Sequence, residues 1–413
     1  MSTSAPLSAL RARLSAPNQA LLDTVTRLAE SRKIALYLVG GAVRDLFLER
    51  EQVDLDIAVE VDAIELAQAL AQATDGRVVI HPSFGTASVK GALFTIDLAQ
   101  TRAEEYPHPG SLPVVRPAPL EDDLARRDFT VNAMALRLTQ PAAGKLIDPF
   151  GGTKDIEQRA IRVLHDRSFQ DDATRMLRAA RYEVRLSFEM EPGTARLLER
   201  DRAYLDTISG ARLRRELLLM LYEDSPHLLL ARCRELGLLR ALHPALKLDA
   251  QSEQALLRAQ DKRPVPWDEV CLCLLSWASS NEEVDSLTER LSLSRRHQRA
   301  LHDTVKLRSL LPALEKPDLP ASAVVEMLEP LSIAAIWALS LRAEKALLGE
   351  RADRFLREWR HVRPFLSGRA LRRFGLSEGP ALGNLLRRLR AARLDGQTQR
   401  REDEIALVEK LRR

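Results

Sequence analysis

Cysteine is scarce: Cys233, Cys271 and Cys273 are the only three in 413 residues. That number excludes a disulfide framework, and no second pair stands at a spacing that would complete a zinc site. Cys271 and Cys273 lie in the apolar run Val270 to Leu275 and are expected in a core. Aromatic residues are also sparse, at 5%. No apolar stretch approaches the roughly 20 residues that cross a bilayer, so a soluble, cytoplasmic chain with no membrane partner is expected. No internal repeat of fixed period occurs, which argues against a solenoid. The first 19 residues carry Arg11 and Arg13 and no acid, but they lack the apolar core of a targeting signal. A frayed N-terminus is expected there.

What is present is ordinary for a folded protein. Hydrophobic residues make up 45% and charged residues 29%, and the length suggests two or more modules. The formal net charge of +4 does not by itself mark a nucleic-acid partner. Its distribution says more: from Arg351 onward there are 17 basic and 8 acidic side chains, a local excess that attracts polyanions such as RNA. Solvated helix faces have the same composition, so charge alone leaves both readings open.

The first third mixes signals. Short β-branched or aliphatic runs at Ile34 to Val39, Leu55 to Val59, Gly76 to Ile80, Thr95 to Leu98 and Val131 to Leu138 predict strands, and Asp62 to Thr74 has helical spacing. After Phe150-Gly151-Gly152, apolar residues recur at intervals of three and four almost to the end. Turn residues such as Pro192-Gly193, Ser225-Pro226, His243-Pro244, Lys262 to Pro266 and Lys316 to Pro320 punctuate them. The fold class predicted is α+β, an N-terminal α/β head followed by an elongated all-α region. The boundaries are a head over 1–150, a helical neck over 151–225, and a helical body and tail over 226–413.

Gly40-Gly41-Ala42-Val43-Arg44 follows a predicted strand and opens a predicted helix. Glycine lets backbone approach a ligand, amides at a helix start favour phosphate, and Arg44 adds charge-assisted donors. A strand-to-helix turn needs glycine in any case, so this pattern alone is weak. Val53-Asp54-Leu55-Asp56-Ile57-Ala58-Val59 then alternates two carboxylates with apolar residues. Period two puts Asp54 and Asp56 on one face and Leu55, Ile57 and Val59 on the other. Paired carboxylates repel unless a cation sits between them, and magnesium is commonly held by one or two carboxylates together with substrate phosphates. A solvent-facing edge strand is the plain alternative.

With these motifs in this order, the chain resembles the class II tRNA nucleotidyltransferases of the DNA polymerase beta superfamily. The resemblance implies that Gly40, Gly41 and Arg44 bind nucleotide phosphates and that Asp54 and Asp56 are catalytic and hold Mg2+. It also assigns Arg127, Asp128 and Asn132, in Arg126-Arg127-Asp128-Phe129-Thr130-Val131-Asn132, to triphosphate and ribose. Chemically, guanidinium suits phosphate, while carboxylate and amide can read a 2′-hydroxyl. Further on, Asp171-Asp172-Ala173-Thr174-Arg175 matches the family's nucleobase template, with Asp171 and Ala173 in place of the usual glutamate and proline. On a helix Asp172 and Arg175 would share a face that Arg178 and Arg181 continue. A carboxylate accepting from an exocyclic amine, beside an arginine donating to a ring nitrogen, selects cytosine and adenine. Asp148 to Gly152 resembles a junction between head and neck, and Arg387, Arg388, Arg390 and Arg393 fall in a stretch similar to tRNA-binding tails.

The activity this implies is addition of the 3′-terminal CCA, or its terminal A, to tRNA from CTP and ATP with release of pyrophosphate. The partner is the 3′ end and acceptor region of tRNA. Thr101 to Val115 matches a loop associated with adding the terminal A. Still in play are an A-only enzyme, a CC-only enzyme, a poly(A) polymerase, and a catalytically silent RNA-binding protein of the same fold. Asp97 is left outside the candidate set, and the oligomeric state is unassigned.

Overall fold

The computed structural model describes residues 5–50, 54–82, 85–260, 263–374 and 379–412. Val53 and Lys262 of the motifs above, and the first four residues, lie outside them. The chain divides into two compact units, residues 1–209 and 210–413.

The first unit begins with α1 (Ala5–Arg13) and α2 (Ala16–Ser31). The expected fraying is therefore not found from residue 5 onward. Leu10 and Leu14 are buried in the core, and that burial outweighs the weak propensity of a short terminal helix. Next come β1 (Leu36–Val39), α3 (Gly41–Phe47), β2 (Asp56–Val59), α4 (Ala63–Thr74), β3 (Arg77–His81), β4 (Thr86–Lys90) and β5 (Thr95–Gln100). A hairpin of β6 (Arg102–Glu105) and β7 (Val114–Pro117) precedes α5 (Leu120–Ala125), β8 (Ala135–Arg137) and β9 (Leu146–Ile147).

The main sheet has seven strands in the order β3-β4-β5-β2-β1-β8-β9, and only β2 and β5 run parallel. Its alternation builds two cores. Leu36, Leu38, Leu55, Ile57, Val59, Ile96 and Leu98 face α2 and α4. Tyr37, Val39, Ala58 and Ala135 face Leu120 and Leu124 of α5. Strand β4 reads poorly in sequence because Thr86, Ser88 and Lys90 alternate with only two apolar residues, Ala87 and Val89. The predicted strand from Val131 is shorter than expected. Thr130–Asn132 closes a 3-10 turn, because Thr130 donates to buried Asp155 at 2.6 Å and Asn132 turns its amide toward Asp128.

At the junction Asp148 accepts from the amides of Gly152 and Thr153 and from the Thr153 hydroxyl, at 2.7 to 3.0 Å. A side chain on Gly152 would run into the Thr130 carbonyl. There follow α6 (Gly152–Glu157), β10 (Ala160–Ile161), α7 (Ser168–Asp171), α8 (Thr174–Leu186), β11 (Glu189–Met190) and α9 (Pro192–Asp201). Strands β10 and β11 pair in parallel, a small departure from an all-helical neck.

The second unit is helical throughout its described residues, beginning with α10 (Gly210–Leu221). Cys233, Cys271 and Cys273 are fully buried in it. Near its end Leu366, Leu371, Leu389 and Val408 form a small core, and buried Glu404 accepts from the amides of Phe365 and Leu366. Three of the four arginines expected to track phosphate are engaged within this unit, Arg387 with the side-chain oxygen of Asn384. Arg390 pairs with Glu329 at 2.8 Å, and the Arg393 guanidinium stacks 3.9 Å from the Phe365 ring. Arg387 and Arg388 stay exposed.

Candidate nucleotidyl-transfer site

Strand β1 is followed by Gly40, whose φ of +68° lies in the left-handed region that favours glycine. A Cβ there would collide with the Arg127 guanidinium, so the glycine also makes room for that arginine. Arg44, one turn into α3, is 3% exposed. It donates to Asn132 Oδ1 at 2.6 Å and to Asp45 at 2.9 to 3.0 Å. Asn132 donates in turn to Asp128 at 2.9 Å, and Asp128 receives Arg178 at 2.6 and 2.9 Å. Burial alone would raise the Asp128 carboxyl, but Arg178, the Asn132 amide and the charge of Arg175 hold it below the usual carboxylate range. Four expected nucleotide-binding residues, Arg44, Asn132, Asp128 and Arg178, thus form one hydrogen-bonded chain.

The paired carboxylates stand beside it. Asp56 opens β2, half-buried, while Asp54 just before the strand is exposed and Leu55, Ile57 and Val59 are buried on the opposite face. Asp97 on β5 is the register partner of Asp56 and accepts from the Ser88 hydroxyl. Burial, then the charges of Asp97 and Asp54, push Asp56 up to about 6 against the pull of Arg127. Asp97 lies outside the carboxylate pair that the sequence motif marks. The signal lay in the alternation Ile96-Asp97-Leu98, but the parallel pairing that puts Asp97 beside Asp56 is a tertiary fact.

Asp123 is a second residue whose role the sequence did not indicate. Nearly buried, it receives Arg127 at 2.9 Å and Arg126 at 2.6 Å, and these arginines hold its carboxyl low against the effect of burial. Arg127 Nε is buried and has no hydrogen-bond partner among the described residues. Arg126 also reaches Glu104 at 2.9 Å, and Glu104 accepts from the Tyr106 hydroxyl at 2.8 Å, tying the β6–β7 hairpin to the same network.

The template segment is arranged differently from expectation. Asp172 is not on a shared helix face with Arg175. Its backbone is extended (φ −141°, ψ 100°), and its carboxylate receives the Thr174 amide at 3.0 Å and the Thr174 hydroxyl at 2.7 Å, at the start of α8. Ala173 has no side chain able to cap that helix, so the preceding aspartate takes the task. Arg175, 5% exposed, donates to Ser168 Oγ and to the Arg126 carbonyl, each at 2.7 Å. Arg178 and Arg181 do continue along α8, but Arg178 is paired with Asp128. Glu104, Tyr106, Arg116, His165, Asp171 and Arg175 line a cavity of about 240 Å³; Asp54 and Asp56 do not.

No group of three metal-ligating side chains is already gathered among the described residues. The donors present suit a divalent ion nonetheless. Crowded carboxylates, one with a raised pKa, are relieved by a cation, and magnesium takes its remaining ligands from water and phosphate.

Residues 36–162 match the family model described as the poly A polymerase head domain, and residues 187–249 match the probable RNA and SrmB-binding site of polymerase A. An A-adding tRNA nucleotidyltransferase of Halalkalibacterium halodurans is 30% identical over 392 residues, covering 93% of this chain and 90% of the relative. Another A-adding enzyme, of Geobacter sulfurreducens, is 32% identical over 96% of this chain, which spans only 47% of that relative's length. Among solved structures, the Thermotoga maritima CCA-adding enzyme complexed with tRNA superposes with a TM-score of 0.80 at 28% identity, covering 98% of each chain.

Proposed function

From the premise that the chain belongs to the tRNA nucleotidyltransferase family with a poly(A) polymerase head, we propose that it extends the 3′ end of tRNA from nucleoside triphosphates, adding the terminal A. The observation that carries this reading is the electrostatic crowding of Asp56 by Asp97 and Asp54, with Arg127 close enough to oppose it. The reaction forms a bond from the tRNA 3′-oxygen to the α-phosphate of ATP. It breaks the bond from that phosphorus to pyrophosphate and releases the hydroxyl proton.

Asp54 and Asp56, with Asp97 adjacent, would hold Mg2+, which supplies Lewis-acid stabilisation of charge on the reacting phosphate. The protein's own groups orient the substrate. Arg127, which is partly exposed, offers its guanidinium charge to the triphosphate. Asp128 and Asn132, held rigid by Arg178 and Arg44, offer carboxylate and amide to the ribose. Asp172 and Arg175 offer the acceptor and donor that suit adenine or cytosine and leave uracil and guanine with mismatched partners. Among the described residues no helix is long and apolar enough to cross a membrane.

Addition of the whole CCA from CTP and ATP is the second reading, favoured by the likeness to the Thermotoga enzyme along 98% of the chain. The test uses tRNAs ending before CCA, after the first C and after CC, with CTP and ATP supplied separately. Extension of only the CC-ended tRNA, by ATP, is expected. No transfer with magnesium, or full activity in the Asp54→Ala, Asp56→Ala double variant, removes the mechanism.

A further inference from the structure

Three guanidinium groups of the site converge on one aromatic ring. The central guanidinium carbons of Arg44, Arg178 and Arg181 stand 5.2, 5.7 and 5.8 Å from the centroid of the Tyr182 ring. Tyr182 is 9% exposed and its ring meets buried Phe129 edge-on, at 5.7 Å and 80°. Arg44 comes from α3, which follows β1 of the main sheet, and Arg178 and Arg181 come from α8, so the ring joins two elements far apart in sequence. Among the described residues its hydroxyl makes no hydrogen bond. What the side chain brings to the site is therefore its ring face.

Gathered cations repel one another, and an aromatic face within about 6 Å offsets part of that repulsion through its quadrupole. Asp45 and Asp128 neutralise Arg44 and Arg178 by hydrogen bonding, but each holds only one of them. The Tyr182 ring contacts all three. We propose that Tyr182 is a positioning residue for nucleotide binding, an aromatic hub whose ring face keeps the guanidinium groups of Arg44, Arg178 and Arg181 assembled beside the Asp128 and Asn132 pair that takes the ribose. This rests on the nucleotidyl-transfer reading, and it predicts an effect blind to the base, because the ribose is common to ATP and CTP.

The experiment varies the ring's electrostatics at constant shape in the full-length chain. Tyr182→Phe keeps the face and should bind ATP as the unsubstituted protein does. Difluoro- and pentafluorophenylalanine at position 182 weaken the quadrupole in steps, and Tyr182→Leu removes it. The calorimetric Kd for ATP should rise along that series to about tenfold, with CTP following the same trend and the thermal midpoint of the fluorinated proteins unchanged. A structural packing role would leave Kd flat from phenylalanine to pentafluorophenylalanine, and that result overturns the hub, as would an absence of ATP binding. ATP binding that tracks the series without any incorporation into tRNA would instead sink the transfer reading alone.

Discussion

Replacing Asp56 with asparagine should make the metal-free protein more stable while destroying its chemistry. The Asp56 carboxyl titrates at about 6 in the fold against an ordinary 3.8, because burial and the charges of Asp97 and Asp54 disfavour its ionised form. A group whose folded value is raised in this way holds its proton longer folded than unfolded. Its charge therefore costs nothing well below pH 3.8, costs more as pH climbs toward 6, and costs a constant amount above that. Taken at face value the rise corresponds to about 3 kcal/mol. Asp56 is only half-buried and Asp54 is open to solvent, so screening reduces this to about 1–2 kcal/mol. Asparagine has nearly the same shape and no charge to pay for. For a unit of this size the gain corresponds to about 2–6 °C in melting temperature. Thermal unfolding in EDTA should show the variant ahead at pH 8, with the advantage about halved at pH 5. Millimolar magnesium should then raise the unsubstituted protein and leave Asp56→Asn unmoved. A variant that melts at or below the unsubstituted protein at pH 8 in EDTA would refute the crowded-carboxylate account.

Other outcomes follow from local geometry. Asp172→Asn keeps a good helix cap but exchanges an acceptor for a donor, so nucleotide choice should relax at unchanged stability, whereas Asp172→Ala should also cost about 1 kcal/mol through the lost cap. Competition of CTP, ATP, UTP and GTP for incorporation reads the first effect and urea unfolding the second; undiminished selectivity in both variants defeats the template assignment. Gly40→Ala forces a left-handed φ on a residue with a side chain and drives its methyl into Arg127, so incorporation should fall at least tenfold, and near-normal turnover would contradict that packing. At the hairpin tip, Gly110 has a φ of +80° and packs so closely on Thr207 that any side chain collides. Gly110→Ala should release the tip and speed proteolytic cleavage between residues 106 and 113; unchanged cleavage would place the hold elsewhere.

The sequence carried the local half of this account. Alternation around Asp56 gave the strand and its two faces, Gly40-Gly41 gave the turn into α3, and helical spacing gave α4, because each is set by neighbours a few residues apart. What escaped it depends on long-range pairing. Asp97 gains its meaning from the parallel ladder with β2, and Asp123 from the arginines that fold back onto it. Tyr182 looks like one more core aromatic until α3 is laid beside α8. Asp172 escapes for a different reason: the helical spacing runs on through Ala173 without a break, whereas the Asp172 carboxylate bonded to Thr174 interrupts the helix there.

The bond between Asp128 and Arg178 also bears on how this protein can be cut. The match to the head-domain family stops at residue 162, which invites expression of that segment as a portable catalytic part. Such a fragment would leave out Arg178 and so abandon a buried aspartate without its counter-ion, an omission that typically costs about 3–5 kcal/mol. A dissection that respects this pair has to carry the chain through α8, to Leu186 at least, so the smallest self-sufficient piece is longer than the homology that defines it.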